Sequence, residues 1–261
     1  MVLGIAGGLV VGLLMGLLGG GGAILAIPLF VYGLHMEHTQ AVVASLVVVA
    51  VGAIFGGATH LRQGHVMVAR GVAFGALGII GSAVATVVSH RVSGEHFMLY
   101  FAGLLVLVAA LMLRGVWKAR HSFTDATLPR STSSGKSRWI PDRPVLFASS
   151  AIAVGFLTGF FGVGGGFLIV PALTIALAMP MQWAVGTSLL VIFINTVVSL
   201  VLRGGQIATV DFGVIAPVMA MVIVGVLLGA KLSPKVSAQA LRTAFGMFLL
   251  AIAGYVAVVE A

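Results

Sequence analysis

The 261-residue sequence has no cysteine, and only 8% of its residues are charged. The first absence excludes disulfides and thiolate metal sites. The second leaves too little charge to cover a soluble domain, in which about a quarter of residues are charged. Acidic residues are scarcest: the six are Glu37, Glu95, Asp125, Asp142, Asp211 and Glu260, all in loops or at helix ends. A buried aspartate pair for intramembrane hydrolysis is therefore missing. No G-x-S-x-G occurs, and the GVGGG at 162–166 is followed by no Lys-Ser/Thr and preceded by no strand pattern. Neither an enzyme nor a bound cofactor is expected.

What the chain has in excess is apolar surface, with 60% hydrophobic residues and a mean hydropathy of +1.20. About 20 apolar residues cross a bilayer core. Eight such runs lie near 2–18, 40–59, 66–88, 97–113, 145–161, 183–202, 212–230 and 239–259. The sequence predicts an all-α integral membrane protein held by the lipid bilayer, its N-terminal run retained as a membrane segment. A net charge of +8 does not point to nucleic acid, because 7 of the 14 Lys and Arg lie between Arg114 and Arg143. That stretch reads as a cytoplasmic linker, 117–144, between membrane units 1–116 and 145–261.

The two units align. An offset of 143 places Gly12 on Gly155, Gly16 on Gly159, Gly19 on Gly162, Gly21 on Gly164, Gly22 on Gly165 and Pro28 on Pro171. It also places Ser45 on Ser188, His60 on Arg203 and Gln63 on Gln206; an offset of 144 places Gly81 on Gly225 and Phe101 on Phe245. The expected plan is two homologous repeats, each a glycine-broken segment followed by three long helices. If each broken unit, 2–33 and 145–178, enters and returns as a hairpin, the repeats are inverted. Twelve Lys and Arg then share one side: Arg62, Arg70, the seven from 114 to 143, Lys231, Lys235 and Arg242. Only Arg91 and Arg203 face the other, a stronger bias than the 10 to 4 of four simple crossings per half. Both termini then lie outside the cell.

Broken segments at matching places in two halves are the best sequence pointer to a transporter's binding site. Hydrocarbon tolerates irregular backbone only where it is buried or lines a wet cavity, so the glycine runs imply a central crevice. Freed amides there suit an anion. The candidate ligands are Gly19, Gly20, Gly21, Gly22 and Ser45 in the first half. In the second they are Gly162, Gly164, Gly165, Gly166, Thr187, Ser188 and Asn195. His60, Arg62, Gln63, Arg203 and Gln206, at helix ends, would attract anions or gate the path. Thr39, Gln40, Gln182 and Trp183 read equally well as caps and anchors. His35 and His38 flank Glu37, but no third and fourth metal ligand is placed, so no metal is expected.

The blocks "GLLGGGGAILAIPLFVYGLHMEHTQAVVASLVVV" and "GFLTGFFGVGGGFLIVPALTIALAMPMQWAVGTSLLVIFINTVVSLV" resemble the sulfite exporter TauE/SafE family of membrane permeases. The likeness extends through "HLRQGHV" and "RGGQIATVDF". It implies export of sulfite, an organosulfonate or a related sulfur-containing anion across the cytoplasmic membrane. An importer or channel for a related anion shares every feature used so far. A homodimer is compatible with this plan, although nothing in the sequence marks its surface. Uniport is one expectation for coupling; a histidine or Asp211 carrying a proton is the other.

Overall fold

The computed structural model describes residues 2–89, 103–114, 144–161, 166–203 and 210–259. Every regular element among them is helical. The first half holds α1 (Val2–Leu18), α2 (Ala23–Pro28), α3 (His38–Arg62), α4 (Val68–Ser89) and α5 (Gly103–Arg114). The second holds α6 (Pro144–Phe161), α7 (Gly166–Pro171), α8 (Met181–Leu202), α9 (Phe212–Leu232) and α10 (Ala238–Val259). Six segments are long and apolar enough to cross a membrane, while α5 and α6 are shorter apolar helices. Exposed Val10, Ile54, Ile80, Leu111, Leu228 and Leu250 make an outer surface suited to lipid.

The first candidate span, Leu3–Gly33, is 31 residues long. As one helix it would reach about 46 Å, well beyond a hydrocarbon core of about 30 Å. It folds back instead. Gly19 takes φ +70, a left-handed conformation glycine adopts without penalty, and a 3-10 turn follows over Gly19–Gly22. The return leg lies against α1: Gly22 against Val11 and Met15, Leu29 against Gly7, and Leu34 against Gly4. Pro28 then removes an amide donor, and the helix widens into a π turn over Leu29–Gly33.

Local geometry repeats at an offset of 143. Pro171 leads into a π turn over Ala172–Ala176 as Pro28 does over Leu29–Gly33. The Met36 amide donates to the Phe30 carbonyl at 3.1 Å, and the Met179 amide to the Leu173 carbonyl at 3.0 Å. His35 (φ 52) and Ala178 (φ 48) close the two turns in the left-handed region. Glu37 and Pro180 then open α3 and α8 with nearly equal dihedrals.

Glycines set the directions of the long helices. Gly8, Gly12 and Gly16 of α1 meet Val218, Val222 and Val226 of α9, so these two run parallel with backbones in contact. Gly52 and Gly56 of α3 meet Val222 and Val226 and align α3 with them. Against α8 the order reverses, Gly56 touching Leu189 while Gly186 touches His60. Helix α4 runs with α8 and with α6 through Gly71, Gly75, Gly78 and Gly81. Hence α1, α3 and α9 point one way and α4, α6 and α8 the other. The core is apolar, centred on Met15, Phe30, Phe74, Leu189 and Ile192.

Candidate functional site

The turn after α1 meets the start of α7 at the centre of the fold. A Cβ added at Gly20 would fall on the Gly166 carbonyl, and one added at Gly166 would stand 2.9 Å from the Gly20 carbonyl oxygen. Gly19 lies against the Ser188 hydroxyl, and Gly21 faces the Phe245 ring. Gly19, Gly20, Gly21 and Gly22 are all buried. The crevice expected from the sequence is thus filled here by backbone against backbone, which only glycine on both sides permits. Gly162, Gly164, Gly165 and Gln206 lie outside the described residues.

Ser188 and Ser45 occupy matched places. Each is buried, and each hydroxyl donates to a carbonyl three residues back, Ser188 to Val185 at 2.8 Å and Ser45 to Val42 at 2.7 Å. Rotation about χ1 would free either proton for an oxyanion. Two turns along α8 from Ser188, Asn195 keeps its Oδ1 enclosed without a hydrogen-bond partner among the described residues, as does the neighbouring Thr196 Oγ1.

Thr187 departs from its expected role. Its Oγ1 accepts from the Met67 amide at 3.1 Å, satisfying backbone where the chain turns into α4. Thr187→Val should leave that amide unpaired and cost about 1–3 kcal/mol, with Thr187→Ser close to wild type. Thermal unfolding of the two purified variants is the check.

His60 and Gln63 are placed differently from an exposed gate. The helix break leaves the last four carbonyls of α1 without intrahelical partners. His60, wholly buried, puts Nε2 3.1 Å from the Gly16 oxygen, one of those four. A carbonyl only accepts, so Nε2 carries the hydrogen. Gln63 Nε2 donates to the Ala230 oxygen near the end of α9 at 3.1 Å. The end of α3 thereby joins α1 and α9, a role invisible in the spacing of His60 and Gln63 alone. His65 stacks edge-on against Trp183 at 5.9 Å. Arg62 and Arg203 are exposed at opposite ends of the antiparallel α3 and α8.

Asp211 is a helix cap, its carboxylate accepting from the Gly213 amide at 2.8 Å. Among the described residues no three His, Cys, Asp or Glu side chains converge as a metal site. Thr39 donates to Glu37 at 3.4 Å, beside His35.

The family model described as "Sulfite exporter TauE/SafE" matches residues 4–256. A "Probable membrane transporter protein" of Xylella fastidiosa (strain 9a5c) is 34% identical over 98% of this chain and 94% of its own. The "Probable membrane transporter protein YdhB" of Bacillus subtilis (strain 168) is 28% identical over 86% of this chain and 85% of its own. No solved structure matches. The chain is a multi-pass membrane transporter and belongs to the sulfite exporter TauE/SafE family.

Proposed function

We propose that this protein is a secondary transporter that exports a small sulfur-containing anion, sulfite or an organosulfonate, across the cytoplasmic membrane. The paired glycine breaks form its midplane site, with Ser45, Ser188 and Asn195 beside them and Arg62 and Arg203 drawing anions to the two mouths. The observation that carries this reading is the meeting of Gly20 with Gly166 beside the Ser188 hydroxyl. A contact between backbones of two inverted halves is a natural closure point: rocking one bundle against the other would part the glycines and uncover the ligand. The matched turns of the two halves support an internal duplication. The 12 to 2 count of Lys and Arg supports a cytoplasmic linker and extracytoplasmic termini.

Outward movement of one negative charge gains about 2.3 kcal/mol per 100 mV across an inside-negative membrane, so the potential alone suffices to drive export of a monoanion that leaves without a proton. The reading is tested with purified protein in proteoliposomes on a solid-supported membrane, challenged with sulfite, sulfoacetate, taurine, sulfate and thiosulfate. Saturable current or tracer flux for a sulfur anion is expected; if all five are inert in both measurements, the substrate class is wrong. Ser188→Ala and Ser45→Ala should each weaken apparent affinity about tenfold to a hundredfold, the loss of one hydrogen bond to a charged group. Wild-type affinity in both would remove the serines from the site.

A further inference from the structure

Among the described residues, His60 is the one titratable side chain that is buried, and none of its surface is exposed. Its Nε2 is committed to the Gly16 oxygen, and its Nδ1 is enclosed with no hydrogen-bond partner. Two neighbouring atoms share that condition, Gln63 Oε1 and His65 Nδ1. Burying an imidazole with half its polar valence unused is costly in a membrane protein, and an intramembrane ionisable group is a functional site by default. With Nε2 holding a hydrogen, the unused Nδ1 is a lone pair, and what a lone pair takes is a proton.

We infer that His60 is a proton-binding site linked to the anion site: a proton on Nδ1 and an anion at the glycine breaks stabilise each other. The inference rests on the anion-transporter reading. One N–H bond forms, the ring becomes a cation, and Nε2–H keeps its bond to Gly16; release returns the same proton to water. Gly16 lies three residues before the break at Gly19, so the new charge sits at the C-terminal end of α1, which favours a cation. Water is near, since Arg62 and Gly64 at the same helix end are exposed.

The surroundings explain why the proton and the anion arrive together. Helices α1 and α8 hold no titratable side chain. Those on the adjoining segments are His65 in the following loop, exposed Arg62 on α3 itself, half-buried Arg70 on α4, exposed Lys231 next to Ala230 on α9, and exposed Lys235 in the turn after α9 that packs on α1. All are basic, and they oppose a positive charge on His60 until an anion offsets them. In the other half the matching position is Arg203, a permanent cation. One half-site therefore carries a fixed charge and the other a switchable one. Linkage requires that anion binding tighten as pH falls, by up to about tenfold per pH unit for one proton.

The test is calorimetric titration of the full chain in lipid nanodiscs with sulfoacetate, whose charge is constant between about pH 5.5 and 8. Two buffers of different ionisation heat give the protons taken up per anion bound. Wild type should take up close to one proton. His60→Gln, whose amide nitrogen can replace Nε2 at Gly16, should take up none and hold at every pH the affinity wild type shows at the alkaline end. His65→Gln should keep the uptake. Should the glutamine variant not fold, His60→Asn serves in its place. Binding without proton uptake in wild type, or undiminished uptake in the His60 variants, overturns the inference and leaves the transporter reading standing. No binding of sulfoacetate, and none of sulfite at one pH, sinks that reading and this inference with it.

Discussion

Replacing Gly20 by alanine is expected to cost about 3 kcal/mol or more and to abolish flux, whereas the same change at Gly21, one residue on, should cost less than about 1 kcal/mol. The two glycines belong to one run of four and differ only in what they face. A Cβ at Gly20 would overlap the Gly166 carbonyl and stand 2.7 Å from its Cα. Backbone has to give way there, and it has little room, since Leu168, Ile169 and Val170 of α7 are buried. At Gly21 the nearest atoms are the Phe245 ring edge at 3.1 Å and the Leu18 Cβ at 3.5 Å, and a ring at the end of a side chain can shift. Gly22 ranks with Gly20, facing the Val11 carbonyl, with the Met15 amide at 2.7 Å. Unfolding of the purified variants in detergent, paired with liposome flux, gives the ranking. Equal tolerance at Gly20 and Gly21 would mean that the two breaks do not touch in the working protein.

That ranking could not have been read from four identical letters. The sequence does reveal that the backbone breaks after Leu18, because adjacent glycines inside an apolar run serve no packing purpose that one glycine would not. It also reveals the membrane setting, since apolar run length is a one-dimensional property. Partnership across the fold is not one-dimensional. His60, in "ATHLRQGHV", looks like a polar residue at a helix end, and only the approach of α1 turns it into the cap of a broken helix. Thr187 and Ser188 are equal as letters, yet they stand about 100° apart around α8. Thr187 therefore reaches the amide of Met67 while Ser188 reaches Gly19. Asp211, at a helix end in the sequence, caps α9 by accepting from the Gly213 amide.

The second large effect tests the relation between the halves. Gly12→Leu and Gly155→Leu should both prevent assembly, and the alanine versions should each cost about 2–4 kcal/mol, equal to within about 1 kcal/mol. The two residues are 143 apart, and they do the same thing on different helix pairs. A Cβ at Gly12 would strike the Val222 carbonyl, with the Val222 Cα at 2.9 Å; one at Gly155 would strike the Gly78 carbonyl, with the Gly78 Cα at 2.7 Å. Val222 and Gly78 are themselves related by the offset of 144. The complementary glycines agree. Gly225 meets Leu9 and Leu13, while Gly81 meets Ile152 and Phe156, which are the residues 143 further on. Each half thus lends its first helix to the fourth helix of the other, α1 to α9 and α6 to α4. Lipid gives apolar helices no solvent-driven reason to associate, so close backbone approach carries these two crossings. Gly103 and Gly254, with no neighbour within 4 Å among the described residues, are the controls and should accept alanine without loss. A large loss at one crossing and none at the other would mean that one half alone holds the fold, and alternating access by two equivalent bundles would lose its structural basis.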